Sequence, residues 1–179
     1  MRNPLSSLLL LAALAAAPAS YAAQSAPLKP VLGMARTVPA FKQSLINQIQ
    51  LVTSLSAQSV PSLAPLAAPV AAMADPYHVE AARLIGALVA QPEALTAHQE
   101  ELRAALGDHG VDMLQKASAR LQNAAAVNES LRAQLKGLSL DASAVEQLGV
   151  RLNSVYEKAK LQPEAAAPVA VPEGASKTP

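Results

Sequence analysis

The sequence predicts an all-α protein, a small bundle of four to five helices with a C-terminal antiparallel helical hairpin and Pro/Ala-rich flanks. Three observations carry this. Aromatic residues make up only 2% of the 179 residues, with no tryptophan and one phenylalanine. Alanine and leucine, which favour helices, supply most of the apolar side chains, whereas sheets draw on β-branched and aromatic residues. The apolar positions also recur in steps of three and four, the spacing of one helix face.

The chain opens MRNPLSSLLLLAALAAAPASYAAQSAP. Its apolar run, Leu5 to Ala17, would span about 20 Å as a helix, against about 30 Å of bilayer hydrocarbon. Arg2 precedes the run, Pro18 breaks it, and Ser20-Tyr21-Ala22 places small residues where a signal peptidase reads. This order predicts a secretory signal peptide over 1–22, cut after Ala22 with Ala23 as the next choice, and hence a periplasmic or secreted protein. An uncleaved anchor is the alternative. Lipid attachment is excluded because it needs a cysteine and the chain has none.

Residues 23–38, with Pro27 and Pro30, are expected to be an extended lead. Phe41, Leu45, Ile49, Val52 and Leu55/Ser56 then fall at helical spacing, with Pro39 suited to a first turn, so a helix is expected over about 39–59. Prolines at 61, 65, 69 and 76 make 61–75 a Pro/Ala-rich linker. Asp75-Pro76 is a helix start, and Tyr77, Ala81, Leu84, Ile85 and Leu88 form the stripe of a helix over about 76–90. Another helix is expected from Pro92 to about Leu106, ended by Gly107 and Gly110.

The most regular pattern follows. Leu114, Ala117, Leu121, Ala124, Asn128, Leu131, Leu135 and Leu138 alternate steps of three and four, a heptad seam expected to be one continuous helix. Asn128 is its one polar member, able to fix register or to sit at the margin of the face. Val145, Leu148, Leu152, Val155 and Ala159 continue the pattern in a last helix capped by Ser139 or Asp141. The short link predicts that these two helices fold back as a hairpin. Residues 163–179, with four prolines, are expected to be a disordered tail, leaving 76–162 as the main helical domain.

The composition also excludes chemistry. Without Arg2 the chain carries 13 basic and 13 acidic residues, which argues against nucleic acid as a partner. With no cysteine there is no disulfide, thiolate zinc site or thiol nucleophile. None of His78, His98 and His109 makes an i, i+4 pair, and no HExxH, GxSxG or glycine-rich phosphate loop occurs. Asp108, His109 and Asp112 could gather loosely on a cation, but a cap and a solvated turn explain them as well. Adjacent Glu100 and Glu101 point in different directions on a helix. The reading is therefore no catalytic, cofactor or metal site.

Leu95-Thr96-Ala97-His98-Gln99 reads LTxxQ and resembles the motif of the Spy-like periplasmic stress chaperones. The resemblance covers five residues, in a chain that is less basic and lacks the second copy usual in that family. It implies an all-helical cradle that binds unfolded clients. The functional expectations are thus three: a non-enzymatic helical interaction or scaffold protein, working through the 114–138 seam on a protein partner or a second copy; a Spy-like chaperone or envelope stress protein; and an accessory or pro-region of an exported enzyme.

Overall fold

The computed structural model describes residues 28–67 and 75–161. The expected signal peptide and tail lie outside them, as does the 68–74 part of the linker. All elements of the described residues are helices: α1 (Leu28–Thr37), α2 (Pro39–Ser56), α3 (Ala64–Ala67), α4 (His78–Ala90), α5 (Pro92–Ala97), α6 (Gln99–Ala125), α7 (Glu129–Leu138) and α8 (Ala142–Leu161). None is long and apolar enough to cross a membrane.

Helix α2 forms the centre. Pro39 opens it, and Phe41, Leu45, Ile49 and Val52 are fully or almost fully buried against α4 and α6. Each such side chain contributes about 1.5–3 kcal/mol through burial. The Phe41 ring meets Tyr77 at 5.8 Å between centroids, tilted by 47°. Burial, then the nearby Tyr156 and Asp75, push the Tyr77 phenol above its usual range.

Four expectations are corrected. The lead is helical from Leu28, and Leu28, Val31, Leu32 and Ala35 bury one face on α2 and α6. Pro30 sits in the first turn, where its missing N–H would have had no partner in the helix. Residues 61–67 are not a bare spacer. Leu63 and Leu66 are fully buried, and α3 packs on α4 and α7.

The third correction concerns the helix expected from Pro92 to about Leu106, which breaks at His98 (φ −110°, ψ 23°). The break expected at Gly107 is present: with φ +79° and ψ 167° this residue is not helical, and α6 is two helical stretches that meet there at a kink. Gly110 lies within the second stretch. The fourth concerns the seam. It is not one helix, because the chain turns at 126–128 and Asn128 Oδ1 accepts the Leu131 N–H at 3.0 Å as the N-cap of α7.

Arg132 braces this break from the far side. Its guanidinium donates to the Ala125 and Ala126 carbonyls at 3.2 and 2.9 Å, closing the end of α6. In the last helix the predicted cap is present, with Asp141 Oδ1 accepting the Ala144 N–H at 2.7 Å. Helix α7 packs on α3, α4 and α6, and α8 on α1 and α4; the two do not pair along a common seam.

Uncharged side chains fasten the corners. Ser118 and Gln122 of α6 donate to the Val89 carbonyl at the end of α4, at 3.0 and 3.1 Å. Gln91 donates to the Leu140 carbonyl at 3.1 Å, and Gln134 accepts the Leu63 N–H at 2.6 Å. A buried ionic fastening is Glu80 on α4, which accepts from Arg151 Nε of α8 at 3.1 Å and from Arg83 at 3.2 Å.

Candidate functional site

The seam residues belong to the chain's own core. Leu114, Ala117 and Leu121 on α6 and Leu131 on α7 are fully buried, and Leu135 on α7 nearly so. Ala124 and Leu138 are half-buried, Leu138 lying over Gly86 of α4, where a Cβ would come within 3.1 Å of its Cδ2. Asn128 is spent as a cap. An apolar face available to a partner therefore has to be sought elsewhere.

An apolar concavity lies between α1 and α8. It has a volume of about 270 Å³ and is walled by Pro30, Val31 and Met34 on α1, facing Val145, Gly149 and Val150 on α8. The spacing 30/31/34 places the first wall on one edge of α1, whose buried face anchors the helix to α2 and α6. The second wall is the i, i+4, i+5 edge of α8, held by Val145, Leu148 and Leu152 and by the Glu80–Arg151 pair.

The two walls meet at Gly149, where Val31 Cγ2 lies 3.6 Å from the place a Cβ would take, an ordinary contact distance. Val150, 67% exposed, forms the rim, with Glu146 and Asn153 as the polar members of the lining. Beyond Asn153 the last turns of α8 are exposed on nearly every side, Val155 alone being half-buried. Beyond Tyr156, which lies near Tyr77, the helix overhangs the body by about one turn.

A second, smaller cleft of about 120 Å³ lies at the corner of α5, α8 and the start of α1, lined by Leu28, Glu93, Ala97, His98 and Asp141. His98 is 2% exposed and its Nδ1 has no hydrogen-bond partner among the described residues. Burial lowers its pKa below the usual 6.5, opposed by Glu101 and aided by Lys29. Leu95 of the LTxxQ pentamer is buried and Thr96 donates to the Pro92 carbonyl, so the pentamer spans the α5–α6 break.

The remaining polar candidates are fastened in place. Asp108 pairs with Arg103 at 3.3 Å and Asp112 with Lys116 at 2.7 Å, both on α6, while His109 is exposed. Glu100 pairs with Arg103, and Glu101 meets Lys29 of α1 at 3.7 Å, a partner invisible to helix spacing. No three His, Asp or Glu among the described residues are placed to hold a metal ion.

Ser44, Asp75 and His78 are the residue types of a hydrolytic triad, but their arrangement differs. Ser44 donates to Asp75 Oδ2 at 2.7 Å, and His78 Nδ1 meets the Gln48 amide at 3.1 Å. With Asp75 Oδ1 also accepting the Tyr77 N–H, the cluster ties the start of α4 to α2.

The groove residues of α1 were missed by sequence reasoning, although Leu28, Val31, Leu32 and Ala35 already stand at helical spacing. Two prolines within four residues drew the reading away from them. No family model matches this chain, and neither the curated proteins nor the solved structures contain a match to it.

Proposed function

We propose that this chain is an exported, non-enzymatic helical interaction protein that holds an apolar segment of a protein partner in the α1–α8 groove. The observation that carries the reading is the groove itself, an open trough of valine, methionine and proline side chains rimmed by an exposed valine. Apolar side chains in contact with water cost about 25 cal/mol per Å², and a contiguous concave patch of them is a common mark of a binding surface. The balanced charge of the chain fits recognition by shape and apolar contact over recognition by field. Export rests on the N-terminal pattern alone, and the intact mass of the native protein should place the new N-terminus at Ala23.

The test of the binding role is a photo-crosslinking amino acid at position 150, compared with position 127, a more exposed valine at the turn between α6 and α7. In the producing cells a discrete cross-linked protein is expected from position 150 alone, and Met34→Glu should abolish it. Identical products from both positions, or none from position 150, overturn the reading.

A further inference from the structure

We propose that the α1–α8 groove is filled by the chain's own C-terminal segment, Pro168-Val169-Ala170-Val171-Pro172. The proposal rests on the reading of the groove as a binding surface and names its resident occupant. Helix α8 ends at Leu161, and 18 residues follow it. From Leu161 back to Asn153, the near end of the groove, is eight helical residues, about 12 Å; from Asn153 to Val145, the far end, is another 12 Å or about that. An extended, proline-rich chain advances about 3.1 Å per residue. Three residues to reverse direction (162–164) and four to return (165–168) bring Pro168 to Asn153. The next four, Val169 to Pro172, then lie along the groove to Val145.

The chemistry of that register fits. The segment that reaches the groove is apolar over its whole length, and the nearest charges on either side of it are Glu164 and Glu173. The groove offers no sheet edge, so its occupant has to be a chain that needs no backbone partner. A polyproline-type segment meets this condition, because its peptide groups stay hydrated and its prolines are already fixed in φ.

Affinity need not be high. A short tether holds the tail at an effective concentration in the millimolar range, so contacts too weak to capture a free peptide keep the groove covered. A partner segment then has to displace the tail, which sets a threshold on what binds.

The experiment uses the full mature chain with the photo-crosslinking residue at position 150, irradiated in dilute solution as an equal mixture of isotopically light and heavy protein. The expected product is light–light and heavy–heavy only, within one chain, and maps to residues 168–172. Val169→Glu combined with Val171→Glu should lower its yield by about tenfold, the equivalent of about 1.4 kcal/mol.

Mixed light–heavy products would assign the occupant to a second copy and overturn the proposal, as would attachment elsewhere or a yield indifferent to the two substitutions. Failure here is separable from failure of the partner reading. Partner products from cells without a product in the isolated chain remove the tail and keep the partner; the reverse removes the partner and keeps the tail.

Discussion

Arg151→Ala should loosen α8 from the body of the protein, because this helix has the thinnest attachment of the long helices. Its buried residues are Val145, Leu148 and Leu152, and its main neighbours are α1 and α4. The Glu80 carboxylate, with 8% of its side chain exposed, accepts from Arg151 Nε at 3.1 and 3.2 Å. Removing one partner of a fully buried pair costs about 3–5 kcal/mol. Here Arg151 keeps 39% of its side chain in solvent and Arg83 remains beside Glu80, so the loss is set by one charge-assisted hydrogen bond, about 1–2 kcal/mol. For a domain near 150 residues that lowers Tm by about 3–6 °C.

Urea unfolding followed by circular dichroism measures the global change. Hydrogen exchange of the amides from Leu148 to Val155 measures local opening, which should rise more than exchange in α2. A double-mutant cycle with Glu80→Gln should give a coupling of about 1 kcal/mol. Unchanged unfolding midpoints, or a coupling near zero, would show that α8 is held by its apolar face alone and refute the reasoning.

Three further outcomes follow from local geometry. Asn128→Ala removes the α7 cap and should cost about 1 kcal/mol in urea unfolding, while Asn128→Ser should recover most of it. Gly107→Ala meets no steric obstacle, so its cost, about 1–3 kcal/mol, reports the positive φ alone; calorimetry showing no loss would mean that α6 straightens. Since burial depresses the His98 pKa, the unfolded chain takes up a proton near pH 6.5 while the folded chain does not. Stability should therefore fall as pH drops from 7.5 toward 5.5, and His98→Gln should flatten this part of the profile; parallel profiles would argue against a buried neutral imidazole.

The helix class, the central helix α2 and both carboxylate turn signals, Asp75 and Asp141, were legible because each depends on residues within one or two turns. The breaks were less so. Asn128 fits a seven-residue repeat and an N-cap equally well, and only the Leu131 N–H and the Arg132 brace decide between them. Gly107 was the exception: a glycine with positive φ usually follows a helix end, and the helix does break there before a second stretch sets off at an angle. The groove could not be read at all. It joins Val31 to Gly149 across more than a hundred residues, and neither helix carries a sign of the other.

The corner fastenings carry a consequence for the conditions this fold tolerates. Gln91, Ser118, Gln122 and Gln134 hold one helix end against another through neutral amide and hydroxyl groups. Proton activity does not alter these bonds, and mobile ions do not screen them as they screen exposed charge pairs. Between elements, the ionic contacts among the described residues are the Glu80–Arg151 bridge and the surface Lys29–Glu101 pair. Sodium chloride from low to molar concentration should therefore leave the frame of α2, α4, α6 and α7 closed. Whatever salt sensitivity exists should concentrate in α1 and α8, the two helices that wall the groove.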